Sequence, residues 1–352
     1  MKTIIQKVNQ TDLENVSFSE AEKLLKNGEL VAFPTETVYG LGGNALDETA
    51  AKKIYAAKGR PSDNPLIVHI ASVDALNVLA NDVPEAAYQL ADVFWPGPLT
   101  MILNKSKIVP YGTTGGLDTV AIRMPSHPVA KRLIAESGVY IAAPSANLSG
   151  RPSPTTAQHV IEDMDGRIAM IIDGGSAQIG LESTIVDLTQ DKPMILRPGF
   201  ITMEKLKEVL PEIGIDPAVV SKKMNKNIVA KAPGMKYRHY APKGELTIFE
   251  GTMDKVIATI NQMAKEKVEQ NLSVGILATD ETKDKYPYGV VKSIGSRNEE
   301  QEIAAHLFGI LRDFDTIGVS YILSESFEDN SLSQAIMNRL LKAAGYQVVQ
   351  CD

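Results

Sequence analysis

The sequence predicts an α/β protein with two domains, and three observations predict this class. The chain has 352 residues, enough for about two domains at roughly 150 residues each. Short apolar runs alternate with amphipathic stretches through the first two hundred residues, which is typical of an α/β domain. A second pattern of strands and helices begins at Lys243. With 44% apolar and 22% charged residues, the composition is that of a folded protein.

The first domain is predicted to contain a mixed sheet. Its strand candidates are the apolar runs at 30–33, 65–70, 99–103, 119–124, 139–144, 170–173, 183–188 and 193–197. Helices are predicted between several of them, at 19–26, 48–58, 84–94, 128–137 and 155–164. Some neighbouring runs, such as those between 170 and 197, leave no room for a helix. Because parallel neighbours need a long crossover, the sheet cannot be purely parallel.

The second domain is predicted to be a compact sheet of three or four strands with helices on its faces. Its strand candidates are 245–250, 273–279, 289–294 and 316–323. Its helix candidates are 253–270, 299–314 and 331–344. No GxGxxG motif follows its first strand, so the sequence does not predict a dinucleotide site there.

Charge and segment composition exclude several classes of protein. The chain carries 36 basic and 43 acidic residues, a net charge of −7, which disfavours a protein whose main task is to grip nucleic acid. No apolar run approaches the roughly 20 residues that cross a bilayer, and the first residues turn polar too early for a signal peptide. We therefore expect a cytoplasmic protein without membrane association. The only cysteine is Cys351, expected on a frayed tail, and the five histidines lack ligand spacing, so no protein metal site is predicted.

A basic segment lies between the two domains. Residues 217–244 contain seven Lys and Arg residues and no acid. Two interpretations stay open: a solvated tether, or a strap over an anionic ligand. The second is favoured by 232–242, where Tyr237 and Arg238 offer groups that stack on a base or hold a phosphate. We predict a catalytic domain at 1–210, a linker over the active site at 211–243 and a C-terminal domain at 244–352.

Three polar loops follow predicted strands or helices, where ligands of open α/β sheets bind. PTETVYGLGG (34–43) places two threonine hydroxyls and an acid before a glycine turn. KGRPSDNPLIVH (58–69) contains Lys58, Arg60, Asn64 and His69, although the helix dipole alone would favour a lysine at its C-terminus. APSANLSGRPSPT (143–155) combines small hydroxyls and backbone N–H groups that can cradle a phosphate. Ordinary turns and helix caps remain an alternative for the first and third loops.

Two arginines lie in apolar strand candidates. Arg123 lies within TVAIRM, and Arg197 ends PMILR. An unpaired buried charge costs several kcal/mol, so each guanidinium needs an anion or a carboxylate. We predict a ligand phosphate or carboxylate as that partner.

Seven motifs in order resemble one known family. PTETVYGLG, KGRPSDNPL, WPGPLT, AIRMPSHP, PSANLSG, ESTIVDL and LRPG closely resemble the YrdC-like family, and GMKYRHYAP followed by a further domain resembles its long form, the two-domain threonylcarbamoyl-AMP synthases. The signature positions are all present, including Lys58 with Arg60 and Ser145 with Asn147. The resemblance implies a YrdC-like twisted mixed sheet with helices around a concave, positively lined cavity. It also implies a smaller Rossmann-like C-terminal domain.

The resemblance implies a nucleotidyltransferase. L-Threonine, bicarbonate and ATP, with Mg2+, would give threonylcarbamoyl-AMP and pyrophosphate. The adenylate would serve the threonylcarbamoyladenosine modification of tRNA, finished by a transferase complex that binds only transiently. Stable binding of nucleic acid by this chain is not expected.

The same resemblance implies a role for each matching residue. Threonine would be held by Thr37, His69, Arg123, Ala143 and Ser183. ATP would be held by Lys58, Arg60, Asn64, Thr119, Ser145, Ser153, Arg197, Tyr237 and Arg238. The catalytic residues would be Lys58, Arg60, Ser145 and Asn147.

Two other functions stay open on the sequence. A positive concavity also suits a module that binds double-stranded RNA or tRNA, but the acidic total disfavours this function. A carbamoyl-adenylate step for another acceptor, as in hydrogenase maturation proteins with a similar domain, is the second. Those proteins carry zinc-finger and acylphosphatase-like regions that this sequence does not contain.

Overall fold

The structure is a computed structural model that describes residues 2–220, 239–327 and 331–351. Contacts divide these residues into two compact units. The first unit contains 2–149 and 153–220, and the second contains 150–152 and 239–351. The division predicted at 210 and 243 stays a prediction, because most of the predicted linker lies outside the described residues.

The first unit alternates strands and helices. Its elements are β1 (Ile4–Lys7), α1 (Ser19–Lys26), β2 (Val31–Phe33), β3 (Gly40–Asn44), α2 (Glu48–Lys58), β4 (Ile67–His69), α3 (Leu76–Leu79), α4 (Glu85–Phe94), β5 (Leu99–Asn104), α5 (Tyr111–Thr114), β6 (Thr119–Arg123), α6 (Pro128–Ser137), β7 (Ile141–Ala142), α7 (Ala157–Met164), β8 (Met170–Asp173), β9 (Thr184–Asp187), β10 (Met194–Arg197), α8 (Met203–Val209), β11 (Gly214–Ile215) and α9 (Pro217–Val220). Short 3-10 helices cover Gln10–Asn15 and Val73–Ala75.

The strands of the first unit form one mixed sheet of eleven strands within the described residues, in the order β1-β8-β2-β3-β7-β4-β6-β5-β9-β10-β11. Parallel pairs include β4 with β6 and β5 with β9, whereas β3 is antiparallel to both β2 and β7. The predicted mixed sheet is confirmed. The register sets His69 beside Arg123, and Arg123 beside Thr100 on β5.

The sheet is buried on both faces. Successive side chains of a strand point to opposite faces, and along β2 Leu30 and Ala32 enter one apolar cluster while Val31 and Phe33 enter another. The second cluster also contains Leu25 of α1 and Leu133 of α6. Apolar clusters therefore cover both faces of the sheet at β2, and a further cluster with Ile67, Ile102 and Ile185 lies along β4, β5 and β9.

Caps fix the ends of the helices that frame these loops. Asp47 accepts a hydrogen bond from the N–H of Thr49 at the start of α2, and Gly59, with φ of 61°, ends the helix directly after Lys58. At α6 the side chain of His127 accepts from the N–H of Val129. A left-handed glycine after the last helical residue is a frequent helix ending, and here it fixes the position of Lys58.

The second unit contains a parallel sheet. Its elements are β12 (Glu245–Gly251), α10 (Met253–Glu269), β13 (Val274–Ala278), the 3-10 helix Lys283–Lys285, β14 (Val290–Ser293), α11 (Glu300–Ile317), β15 (Tyr321–Glu325), α12 (Ser331–Ala343) and β16 (Val348–Cys351). The strand order is β14-β13-β15-β12-β16, and every pair is parallel. This is the smaller α/β domain expected from the resemblance.

The structure differs from the local predictions at five places. The glycine turn expected within 34–43 is in part the strand β3, and β1 was not predicted. The strand expected at 316–323 begins only at Tyr321, because α11 continues to Ile317. The second sheet has five strands, since β16 pairs with β12 and buries Cys351 rather than leaving it on a frayed tail.

Within the described ranges, no helix has both the length and the apolar character needed to cross a membrane.

Candidate functional site

The three polar loops of the sequence meet in the first unit. The N–H of Tyr39 donates to the carbonyl of Pro154 at 2.9 Å, and the carbonyl of Tyr39 accepts from the N–H of Ala146 at 2.8 Å. The N–H of Ser149 donates to the carbonyl of Lys58 at 2.9 Å. These backbone bonds join 34–43, 58–69, 143–149 and 153–155 into one cluster of the first unit.

Lys58 anchors the loop that follows β7. Its ammonium donates to the backbone carbonyls of Ser145 and Asn147, and it lies 3.4 Å from Oδ1 of Asn147. The hydroxyl of Ser145 donates to the same Oδ1 at 2.5 Å. Lys58 is only 2% exposed, so these bonds satisfy a buried charge. Three of the four predicted catalytic residues, Lys58, Ser145 and Asn147, are thus joined in one hydrogen-bond network.

Arg60 and Asn64 lie beside this network. The guanidinium of Arg60 donates to the carbonyls of Asn64 and Pro65 at 3.3 and 3.2 Å. Both residues are buried, and Oδ1 of Asn64 has no hydrogen-bond partner within the described part of the chain. A buried acceptor without a partner is costly unless a ligand supplies the donor. The predicted role of Asn64 in binding ATP would supply such a donor.

Arg123 forms the centre of the predicted threonine site. Its Nη2 donates to Oε1 of Glu36 at 2.5 Å, its Nη1 donates to Oγ1 of Thr37 at 2.8 Å, and its Nε donates to the carbonyl of Gly97 at 3.3 Å. A guanidinium has five N–H groups. Three of them donate to protein acceptors in the described residues, so one on each Nη atom remains for a ligand carboxylate.

Thr37 is oriented by its neighbours. Thr35 donates its hydroxyl proton to the carbonyl of Val38 at 2.6 Å. In the 2.9 Å contact between the two hydroxyls, Thr37 is therefore the donor. Because Arg123 also donates to Thr37, both this hydroxyl and the guanidinium are fixed by the protein itself.

His69 is a neutral acceptor in this cluster. Its Nδ1 lies 3.1 Å from the carbonyl of Ile67 and must donate to it, so Nε2 is the unprotonated nitrogen. Burial and the charge of Arg123 lower the pKa of His69 to about 3. The carbonyl of Ile67 also accepts from the N–H of Ala143 at 2.8 Å. Because that N–H is used within the protein, the backbone group that Ala143 could offer to a ligand is its carbonyl.

Ser183 connects the residues predicted for threonine with those predicted for ATP. Its hydroxyl lies 2.7 Å from that of Thr100 and accepts from Nη2 of Arg197 at 3.1 Å. The Nε of Arg197 donates to the carbonyl of Ser183 at 3.0 Å. The two predicted residue sets therefore share one buried hydrogen-bond network.

The other residues predicted to bind ATP are not joined to this network by the hydrogen bonds described above. Ser153 is buried and donates to Oε1 of Glu182 at 2.5 Å. Thr119 is half-buried at the first position of β6, four residues and about 13 Å from Arg123 at the usual rise of a strand. Tyr237 and Arg238 lie outside the described residues.

Sequence reasoning assigned no site role to four buried polar residues of the first unit: Glu36, Thr100, His127 and Glu182. Glu36 and Glu182 lie within the motifs PTETVYGLGG and ESTIVDL, and an acid inside an otherwise apolar, hydroxyl-rich motif is the signal that could have identified them. His127 could have been found in PSHP, where it caps α6. Thr100 gives no such signal, because an isolated threonine in a strand is ordinary.

The described residues suit a metal carried by the nucleotide better than one bound by the protein. No group of three His, Cys, Asp or Glu side chains that could hold a metal ion occurs among them. The predicted ATP residues are mostly donors, and Glu182 is the carboxylate beside them. Mg2+ prefers phosphate oxygens and water with few protein carboxylates. It would therefore enter as part of the substrate MgATP.

Comparisons with known proteins identify the family of the chain. A family model described as telomere recombination matches residues 23–199, and one described as threonylcarbamoyl-AMP synthase, C-terminal domain, matches residues 201–345. The threonylcarbamoyl-AMP synthase of Pyrococcus abyssi is 51% identical over 99% of both chains. That of Bacillus subtilis is 49% identical over 99% of this chain and 100% of its own. A crystal structure of P. abyssi Sua5 complexed with L-threonine has a TM-score of 0.92 at 49% identity and covers 99% of this chain and 100% of that chain.

Proposed function

The chain belongs to the two-domain threonylcarbamoyl-AMP synthase family, and we propose that the cluster in its first unit carries out that synthesis. The enzyme is a nucleotidyltransferase that uses L-threonine and ATP. We assign bicarbonate as the third substrate and threonylcarbamoyl-AMP and pyrophosphate as the products. The observation that carries the assignment of the site is the buried guanidinium of Arg123, which keeps two N–H groups for a carboxylate.

Threonine would bind around Arg123. A guanidinium fork matches a carboxylate in a bidentate pair, and the protein already holds this fork in place through Glu36, Thr37 and Gly97. The neutral Nε2 of His69 can accept from the substrate hydroxyl or amine. We assign the carbonyl of Ala143 and the hydroxyl of Ser183 to the same substrate.

ATP would bind at the part of the cluster that contains the basic residues Lys58, Arg60 and Arg197. We assign Arg60, Asn64, Ser145, Ser153, Arg197 and Thr119 to it, with Lys58 beside the phosphates. The assignment of Tyr237 and Arg238 stays a prediction. Because Arg197 donates to Ser183, the α-phosphate would lie next to the threonine site.

The chemistry requires positioning more than a covalent nucleophile. The neutral threonine amine attacks bicarbonate and gives a carbamate and water. A carbamate oxygen then attacks the α-phosphorus, so that one P–O bond forms and the bond to the β-phosphate bridge breaks, releasing pyrophosphate. The residues of this chain hold the two reactants in line and neutralise phosphate charge, which supplies most of the catalysis in phosphoryl transfer. Bound Mg2+ would supply further charge neutralisation on the phosphates.

The chemistry of threonylcarbamoyl-AMP gives a reason to expect a transferase complex as a partner. A carbamate–phosphate mixed anhydride is labile in water, so a transferase complex that modifies tRNA must receive it soon after release. We propose that this contact is transient and occurs in the cytoplasm, where the tRNA is. Stable binding of tRNA by this chain is not part of the proposal.

The test measures threonine-dependent release of pyrophosphate from MgATP and bicarbonate. We expect wild-type release to require threonine and to fall by about 100-fold in Lys58→Met and in Arg60→Ala, the scale expected when a reacting group is displaced by about an ångström. Lys52→Met is the matched control, since Lys52 lies on the same helix with an exposed side chain. Release that ignores threonine, or full activity in both site variants, would contradict the proposal.

A further inference from the structure

A carboxylate that the threonine and ATP residues do not include lies against Arg123. Glu36 is 5% exposed, and its Oε1 accepts from Nη2 of Arg123. Its other oxygen, Oε2, is buried and has no hydrogen-bond partner among the described residues. A buried carboxylate oxygen without a donor is costly. The ion pair with Arg123 therefore satisfies only one of the two carboxylate oxygens of Glu36.

The charge of Glu36 is present under all ordinary conditions. Burial alone would raise the pKa of Glu36, but the charge and the hydrogen bond of Arg123, followed by smaller contributions from the backbone N–H groups of Glu36 and Ser126, hold it below its usual value. Glu36 is thus an ionised acceptor and a poor base. It is suited to holding a cation rather than to removing a proton from one.

His127 is a second buried side chain of the first unit with an atom that has no partner among the described residues. His127 is 3% exposed, and its Nδ1 accepts from the N–H of Val129, so the ring proton is on Nε2. That Nε2 also has no partner in the described part of the chain. Burial lowers the pKa of His127, and the negative charge of Glu36 acts in the opposite direction. The described part of the first unit therefore contains one buried acceptor, Oε2 of Glu36, and one buried donor, Nε2 of His127, without hydrogen-bond partners.

From this arrangement we infer that Glu36 is a specificity-determining residue that receives the ammonium group of threonine on Oε2. Resting on the proposed function, this inference deepens it: Arg123 recognises the carboxylate of an α-amino acid, and Glu36 recognises the ammonium of the same zwitterion. An amino acid without its ammonium would leave Oε2 buried and unpaired, as it is in the structure.

Glu36 acts in binding the zwitterion and not in the later chemical step. Glu36 keeps the bond to Arg123 through Oε1, so the guanidinium is fixed whether or not the ligand is bound. The ammonium proton must leave before carbamate formation, and Glu36 is not the group that takes it. Its contribution is therefore expected in the affinity for threonine.

The experiment compares two ligands by calorimetry or by competition. One is L-threonine, and the other is (R)-3-hydroxybutanoate, which keeps the carboxylate and the hydroxyl but lacks the ammonium. In Glu36→Gln the side-chain oxygen can still accept from Arg123, whereas the second oxygen and the charge are lost. We expect this variant to bind threonine roughly 10- to 100-fold more weakly, the range for a charge-assisted hydrogen bond. The affinity for (R)-3-hydroxybutanoate should change less than about 3-fold, within ordinary context effects.

Glu29→Gln is the matched control, because it removes the charge from another ion pair of the first unit, with Lys53 at 2.6 Å. It should leave both affinities unchanged. An equal loss for both ligands in Glu36→Gln would show that Glu36 only positions Arg123 and would overturn the inference, as would no loss for threonine.

The wild-type protein provides a second test that does not depend on the folding of the variant. It should bind threonine at least about 10-fold more tightly than (R)-3-hydroxybutanoate. Equal affinities would overturn the inference while leaving the proposed function intact. Wild-type protein that binds no threonine would instead contradict the proposed function and this inference with it.

Discussion

At the scale of single residues, the neutral state of His69 makes the first unit sensitive to acid. Burial and Arg123 hold the pKa of His69 at about 3 in the folded chain, against about 6.5 when unfolded. Between these values the unfolded chain binds a proton that the folded chain does not. The free energy of unfolding therefore decreases as the pH falls from 6.5 towards 3. Burial also lowers the pKa of His127, with the same sign.

We predict that His69→Asn flattens this dependence. From pH 6.5 to 5 the wild-type free energy of unfolding should fall by about 2 kcal/mol through His69 alone, and the variant should lack that part. Trp95 is the only tryptophan and is buried in the first unit, so its fluorescence in urea reports on that unit. Parallel pH profiles for the wild type and the variant would contradict the account.

The sequence predicted which residues belong to the site better than it predicted which of them contact one another. The resemblance directed attention to Arg123 and Thr37, which the structure places 2.8 Å apart. It did not indicate Glu36, because the two ends of that ion pair are 87 residues apart in the sequence. Pairing over such a distance depends on the order of strands in the sheet, and no local pattern encodes it.

At the scale of elements, β3 depends on glycine for close packing. A Cβ at Gly42 would lie 2.8 Å from Cε1 of Phe33 and 2.8 Å from Cγ2 of Ile141. A Cβ at Gly43 would meet its nearest neighbours at 3.1 Å or more, and these are side-chain ends. The strand therefore tolerates a methyl group less well at Gly42 than at the next residue.

We predict that Gly42→Ala lowers the free energy of unfolding of the first unit by about 1–3 kcal/mol, the usual cost of overpacking. Gly43→Ala is the matched comparison and should cost less. Urea titrations followed by Trp95 fluorescence measure both. A larger loss in Gly43→Ala would contradict this packing.

The same strand shows why part of the fold escaped prediction. The sequence predicts helices at 19–26, 48–58 and 128–137, and α1, α2 and α6 have these bounds, since caps and amphipathic spacing are local signals. The run GLGGN reads as a turn, because glycine is rare inside strands. It becomes β3 through contacts with Phe33 and Ile141 that lie outside the local sequence. Likewise, Gly318 ends α11 and thereby excludes Thr316 from the predicted strand.

At the scale of the whole molecule, the net charge of −7 predicts weak contact with nucleic acid. In filter binding with tRNA, we expect a plot of log Kobs against log salt with a slope shallower than about −2, equivalent to about two neutralised phosphates. A chain that acts as an RNA-binding module would instead give a steep slope. A slope of −5 or beyond would favour that function over synthesis of an adenylate.

In the proposed function, this one chain joins three small substrates into an adenylate. The most direct measurement incubates the purified full chain with MgATP, L-threonine and ¹³C-labelled bicarbonate, and follows the nucleotide products by rapid mass spectrometry. We predict threonylcarbamoyl-AMP that carries one ¹³C atom and appears together with pyrophosphate. AMP and pyrophosphate without a labelled adenylate, or an adenylate that forms without threonine, would contradict the account.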